Sequence, residues 1–173
     1  MNEKKILITG GLGFLGFSCA KNLKKKNKNY KIILFDNLQR KGSEKNIPAA
    51  IQNGFNFING DISKIKDLLK VKNFDLMLHF AAEPSVTIAD RNPIQTISTN
   101  LLGTANCLHL CSKYDANIIF ISSSRVYNIE EIDSLIFKEN INRVVLKNKN
   151  IKNYIKDNEI TENFPCDQKK SFY

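Results

Sequence analysis

The sequence contains no apolar run approaching the roughly 18 residues of a membrane span, so a transmembrane segment is not expected. The N-terminus is charged and the first apolar run, Ile6-Leu7-Ile8, is only a strand long, so no secretory leader is read either. Cysteine is sparse: Cys19, Cys107, Cys111 and Cys166 show no C-x-x-C spacing and fit reduced thiols in the cytoplasm. Cys107 and Cys111 lie one helical turn apart, with His109 between them pointing elsewhere, which suits core packing better than a metal site. No metal is expected. Acidic residues are outnumbered, 17 against 26 Lys and Arg, for a net charge of +9. Such a surplus invites a nucleic-acid partner, but the lysines are scattered and lack the interleaved aromatics of a stacking platform. Abundant lysine, asparagine and isoleucine together look more like codon bias, and no nucleic-acid partner is expected. A length of 173 residues suits one domain, able to bury about 70% of its unfolded surface.

What is present is concentrated near the start. The run Ile6-Leu7-Ile8-Thr9 stops at Gly10, Gly11, Gly13 and Gly16, and a helical pattern begins among them. A strand, a tight glycine turn and a helix N-terminus together build a dinucleotide site. Side chains at Gly10, Gly11 or Gly13 would keep the backbone from a pyrophosphate, and Gly16 lets the helix pack closely on the strand. Asp36 follows Gly16 by twenty residues and ends a second apolar run, Tyr30 to Phe35. A carboxylate at that strand tip accepts both ribose hydroxyls and repels a 2′-phosphate, favouring NAD over NADP. Arg40 and Lys41 follow closely and pull the other way.

The remaining order is regular. Strands are predicted over Lys5–Thr9, Lys31–Phe35, Asn56–Asn59, Leu76–Phe80 and Asn117–Ser122. Helices are predicted over Phe14–Lys26, near Ile47–Gln52 with an early break at Pro48, from a Ser63 cap through Lys70, and as one long helix from about Pro93 to Lys113. Apolar strands alternating with helices imply a doubly wound α/β fold with a parallel sheet. The region 128–160 reads as an insertion or long loop, with a helix near Glu130–Phe137 and a strand at Arg143–Leu146.

Ligands of such sheets lie beyond the carboxyl ends of the strands. The tips here are Gly10, Asp36, Asp61, the run His79-Phe80-Ala81-Ala82, and Ser122-Ser123-Ser124. Asp61 suits either an adenine amino contact or a plain turn aspartate. Ala81 and Ala82 are small enough for backbone to pass close to a cofactor. His79, between Leu78 and Phe80, reads as a buried structural histidine. Asn100 suits a bond to a neighbouring strand end, or an exposed helix position. The cofactor-binding set drawn from these tips comprises Gly10, Gly11, Gly13, Phe14, Leu15, Gly16, Asp36, Asn37, Asp61, Ile62, Phe80, Ala81, Ala82 and Asn100.

The segments T-G-G-L-G-F-L-G, F-D-N-L, G-D-I, H-F-A-A, T-N-L-L-G-T and S-S-S-R-V-Y, in this order and spacing, resemble the extended short-chain dehydrogenases/reductases. Within these the likeness is to the NAD-dependent epimerase/dehydratase family that acts on nucleotide sugars. It runs from Lys4 to Tyr127 and resumes at Thr161–Pro165 and Ser171–Tyr173. The resemblance implies NAD as cofactor, a nucleotide-sugar substrate, Ser123 as catalytic serine and Tyr173 as catalytic tyrosine. It also implies a homodimer packed through helices that include 93–113.

In that family NAD takes a hydride from a sugar carbon while the tyrosine, as phenolate, removes the hydroxyl proton. The run Ala81–Thr87 with S-S-S-R-V-Y looks closer to the C2-epimerases of CDP-sugars than to UDP-galactose 4-epimerase. The domain reading is 1–127 for NAD binding, 128–160 for the insertion and 161–173 for the start of the tyrosine segment. The expectation is an N-terminal part cut at the tyrosine, without the lysine of Y-x-x-x-K or the substrate domain. A tyrosine titrates near ~10 unless a cation lowers it, so this chain alone is expected to be inactive. Two other readings are a non-catalytic NAD-binding or docking module and a methyltransferase-like domain; the latter explains neither the serine run nor the tyrosine segment.

Overall fold

In β1 (Lys5–Thr9) every residue after Lys5 is buried. Strands buried on both faces belong to a parallel sheet with helices above and below it. The computed structural model describes residues 3–122, 126–135, 137–140, 143–146, 154–156 and 159–166. After β1 come α1 (Phe14–Lys26), β2 (Lys31–Asp36), α2 (Ile47–Gln52), β3 (Asn56–Asn59), α3 (Ile65–Leu68) and β4 (Leu76–His79). Then follow α4 (Val86–Arg91), α5 (Pro93–Ile97), α6 (Gly103–Tyr114) and β5 (Asn117–Phe120). The five strands are parallel in the order β3-β2-β1-β4-β5, the doubly wound α/β sheet that the alternation predicts. The strand order reverses at β1 and β4. There the register sets Thr9 level with both Phe35 and His79, so three carboxyl ends open on one crevice.

Period-two alternation sorts the strand residues onto two cores. Leu7, Ile33, Phe35 and Met77 face one side, packed with Ile62, Leu68, Phe74, Cys107, Leu110 and Cys111. Ile6, Ile8, Ile32, Leu34 and Leu78 face the other, with Leu12, Phe17, Ala20 and Phe55. Each fully buried apolar side chain of this size contributes about 1.5–3 kcal/mol, so these two layers hold the sheet. No helix among the described residues is long and apolar enough to cross a membrane.

Several boundaries differ from the sequence reading, each for a local reason. Pro48 does not break α2: it sits in the first turn, where its missing N–H has no intrahelical role. Ser63 does not cap α3, because its N–H and its hydroxyl both donate to Asp61 Oδ1 (2.9 and 2.8 Å). That helix ends at Leu68 rather than Lys70. The single helix expected over 93–113 is α5, a wide π turn at Ser98–Leu102 and then α6. The Gly103 N–H bonds back to the Ser98 carbonyl, five residues away. Helix α4 was not predicted; Ser85 caps it by accepting from the Ile88 N–H at 3.3 Å.

Residues 1–121 form one compact unit and 122–173 a second. In the second, α7 (Ile129–Asp133) is capped by the Asn128 side chain. The antiparallel pairs β6 (Phe137–Asn140) with β7 (Arg143–Leu146) and β8 (Ile155–Lys156) with β9 (Glu159–Ile160) follow. The predicted strand is β7, whereas the helix predicted over 130–137 stops at Asp133 and its last residue starts β6. Leu135, Leu146, Ile155 and Phe164 form a small core of this unit. The Phe164 ring meets Tyr127 and Tyr154 edge-on at 5.2 and 4.9 Å. The Tyr154 hydroxyl bonds Glu131.

Candidate dinucleotide-binding site

The glycine turn is fixed from within. Gly10 has φ +63°, and a Cβ on it would lie 2.9 Å from the Ala81 nitrogen. A Cβ on Gly11 would lie 2.8 Å from the Ile8 carbonyl oxygen, and one on Gly16 only 2.3 Å from the Gly10 oxygen. These three glycines serve backbone packing of the turn against β1, β2 and the loop after β4. Gly10 also lines the main cleft, beside Gly13. Gly13 differs: its Cβ would touch only the Gly10 oxygen, at 3.2 Å, and otherwise project into open space. Gly13 lines the cleft and occupies the N-cap of α1, which carries no side-chain cap and no acid in its first turn. The positive end of α1 is thus left for an external anion. Phe14 and Leu15, at that end, are largely exposed.

Asp36 ends β2, is 8% exposed and lines the same cleft of about 570 Å³. Its Oδ2 accepts the Leu12 N–H at 3.0 Å and its Oδ1 the Leu38 N–H at 2.9 Å. A carboxylate has about four acceptor positions, so two remain for a diol. Leu38 holds a left-handed φ of 58°, an uncommon backbone for leucine that the Asp36 bond helps to maintain. Beside it Asn37 donates to Gln39 Oε1 and to Asp61 Oδ2.

Asp61 behaves as a turn aspartate, with Oδ1 taken by Ser63 and Oδ2 by Asn37. It lines a second, smaller pocket of about 350 Å³ with Asn37 and Gln39, whereas its neighbour Ile62 lines the main cleft. Phe80, Ala81 and Ala82 line the main cleft as well. Asn100 lies in the π turn and clamps the loop after β4: its Oδ1 accepts the Glu83 N–H at 2.8 Å and its Nδ2 donates to the Glu83 carbonyl at 3.0 Å. Ser123 and Tyr173 lie outside the described residues.

A polar relay beneath the cleft escaped the sequence reading. The Thr104 hydroxyl donates to the Asn100 carbonyl at 2.7 Å, so its oxygen accepts from His79 Nε2 at 3.3 Å. His79 Nδ1 then accepts from the Thr9 hydroxyl at 2.8 Å, and the Thr9 oxygen accepts the Ala81 N–H at 3.4 Å. Every member is satisfied only with a neutral, Nε2-protonated His79. Burial holds the His79 pKa below its ordinary value, which agrees. His79 is therefore a structural tie between β1, β4 and α6. Ser85, Ile88, Gln95 and Thr99 also line the cleft without having been predicted. The one sequence signal for part of this wall was a serine, Ser85, just ahead of Val86-Thr87-Ile88.

The profile of the NAD dependent epimerase/dehydratase family matches residues 6–150. CDP-paratose 2-epimerase of Salmonella typhi is 35% identical over 129 residues, covering 71% of this chain and 38% of that protein. The dTDP-D-glucose 4,6-dehydratase of Dictyostelium discoideum is 33% identical over 129 residues, covering 72% and 30%. Among solved structures, Thermus thermophilus UDP-glucose 4-epimerase in complex with NAD aligns with a TM-score of 0.61 at 25% identity, over 72% of this chain and 40% of that one. The chain thus spans well under half the length of the relatives it matches.

Proposed function

The chain belongs to the NAD dependent epimerase/dehydratase family, and from that premise we propose that its first unit is the NAD-binding part of a nucleotide-sugar epimerase or dehydratase. The observation that carries this is the buried Asp36 carboxylate, aimed by the Leu12 and Leu38 N–H groups, beside an uncapped helix N-terminus in one cleft. Gly13 and the first turn of α1 would hold the pyrophosphate, Asp36 the adenosine ribose, and Ile62, Phe80, Ala81 and Ala82 the apolar walls. NAD bound there supplies hydride acceptance and return.

We extend the proposal to residues 1–127 as the NAD-binding domain, 128–160 as an insertion and 161–173 as the start of the tyrosine segment. Ser123 would hydrogen-bond the reacting sugar oxygen, and Tyr173 would remove its proton. Similarity to the Salmonella protein supports a CDP-sugar and inversion at C2 as the specific reaction. Because the chain covers so little of its relatives, the 173-residue polypeptide is expected to bind NAD without turnover. A homodimer is supported by the exposed Ile94, Ile97, Leu101, Leu102 and Leu108 along α5, the π turn and α6. Free thiols at all four cysteines support a cytoplasmic setting.

The test is a thermal melt with NAD, followed by incubation with CDP-, UDP- and dTDP-sugars. Stabilisation by NAD of about 2.7 kcal/mol at 100-fold excess over Kd, without product, is expected. An unchanged melt would remove the nucleotide reading; product formation would remove the reading of an inactive part.

A further inference from the structure

The cleft wall carries two cations, Arg40 and Lys41, and two anions, Asp36 and Glu83, of which the nucleotide reading uses only Asp36. Arg40 follows β2 and Glu83 follows β4, so the pair joins the loops on the two sides of the crevice. Arg40 Nη2 lies 3.6 Å from Glu83 Oε1. The Glu83 side chain is 13% exposed and that of Arg40 61%. Glu83 is also the fixed partner. Asn100 grips its backbone N–H and carbonyl, and its Oε1 accepts the Ser85 N–H at 3.0 Å. An exposed guanidinium thus faces a carboxylate held in place by its neighbours.

Arg40 stands four residues beyond Asp36, on the loop that passes the expected ribose site. A free arginine at that edge would pair a 2′-phosphate through charge-assisted hydrogen bonds. One already facing a part-buried carboxylate is drawn away from the phosphate, which Glu83 would repel besides. We propose that Glu83 is a specificity-determining residue: by holding Arg40 it withholds the cation a 2′-phosphate needs, and with Asp36 it sets the cleft for NAD over NADP. This rests on the nucleotide reading given above. Lys41 is exposed and in no ion pair among the described residues, so it serves as the internal rival to Arg40.

The experiment is isothermal titration of the full 173-residue chain with NAD and with NADP at low ionic strength. Glu83→Gln, which keeps an acceptor for the Ser85 N–H, should raise the ratio of NADP to NAD affinity about tenfold, the yield of one charge-assisted hydrogen bond. Adding Arg40→Gln to that variant should return the ratio to the wild-type value. If the chain binds NAD and Glu83→Gln leaves the ratio unmoved, the inference fails and the nucleotide reading stands. If the gain survives the loss of Arg40, Lys41 is the phosphate cation and the inference also fails. A wild-type chain that binds neither nucleotide overturns the nucleotide reading and this inference with it.

Discussion

Gly13 and Gly16 both belong to the glycine turn, yet alanine should act oppositely at the two positions. At Gly16 the new Cβ would sit 2.3 Å from the Gly10 carbonyl oxygen and 3.0 Å from its carbon. Both are backbone atoms, and Gly10 is itself pressed against Ala81, so no flexible side chain can yield. Overpacking of this kind costs about 2–3 kcal/mol, the upper part of the usual range, because backbone must move. Alanine regains about 1 kcal/mol of helix propensity inside α1, leaving a net loss of about 1–2 kcal/mol. For a chain of this size that lowers Tm by about 2–8 °C. At Gly13 the Cβ would meet one atom at 3.2 Å, so Gly13→Ala should keep Tm within about 2 °C, the cost of a poorer N-cap. It should nonetheless weaken NAD at least tenfold, because the methyl would fill the space beside the helix N-terminus. Thermal melts with NAD titrations of both variants are the assay. Gly16→Ala at wild-type Tm, or Gly13→Ala with wild-type affinity, would refute the division of roles.

Two further outcomes follow from buried groups. Burial lowers the His79 pKa below 6.5, so the unfolded chain takes the proton first as pH falls. The stability that the relay lends is present above pH 6.5 and drains away as pH falls toward the folded pKa. Melts between pH 7.5 and 5.5 should fall more steeply for wild type than for His79→Gln, and parallel curves would count against the relay. Burial, with the neighbouring Cys111 adding to it, pushes the Cys107 thiol up to about 12, and Cys111 and Cys19 are raised by burial as well. At pH 8 a thiol reagent should therefore label exposed Cys166 first, and Cys107 and Cys111 only on unfolding. Fast labelling of Cys107 would contradict its place in the core.

Legibility in the sequence followed burial. β1 and β2 were readable because their residues are buried on both faces, which leaves an unbroken apolar signal, and the turn between β1 and α1 was readable from its glycines. Asp36 was legible as the acid that ends such a run. The edges were less clear: β3 and β5 are largely part-buried or exposed, and Ser122 was assigned to a strand that ends at Phe120. The π turn was not legible: Ser98, Thr99 and Asn100 are weak helix formers, but that does not specify a wide turn, which shows only in the Gly103 bond to Ser98. Asn100 and Glu83 lie seventeen residues apart and Arg40 and Glu83 forty-three, distances at which no local pattern records a partner. The same holds for Thr9, His79 and Thr104, whose relay crosses three elements.

The central claim is that Asp36 and the α1 turn form an NAD site. It is tested most directly by titrating the chain and its Asp36→Ala variant with NAD, circular dichroism confirming the fold of each. The account predicts saturable binding to wild type and a loss of at least about tenfold in the variant, as for removal of a bidentate charged acceptor. Equal affinity in the two, or no binding to the folded wild-type chain, would contradict it.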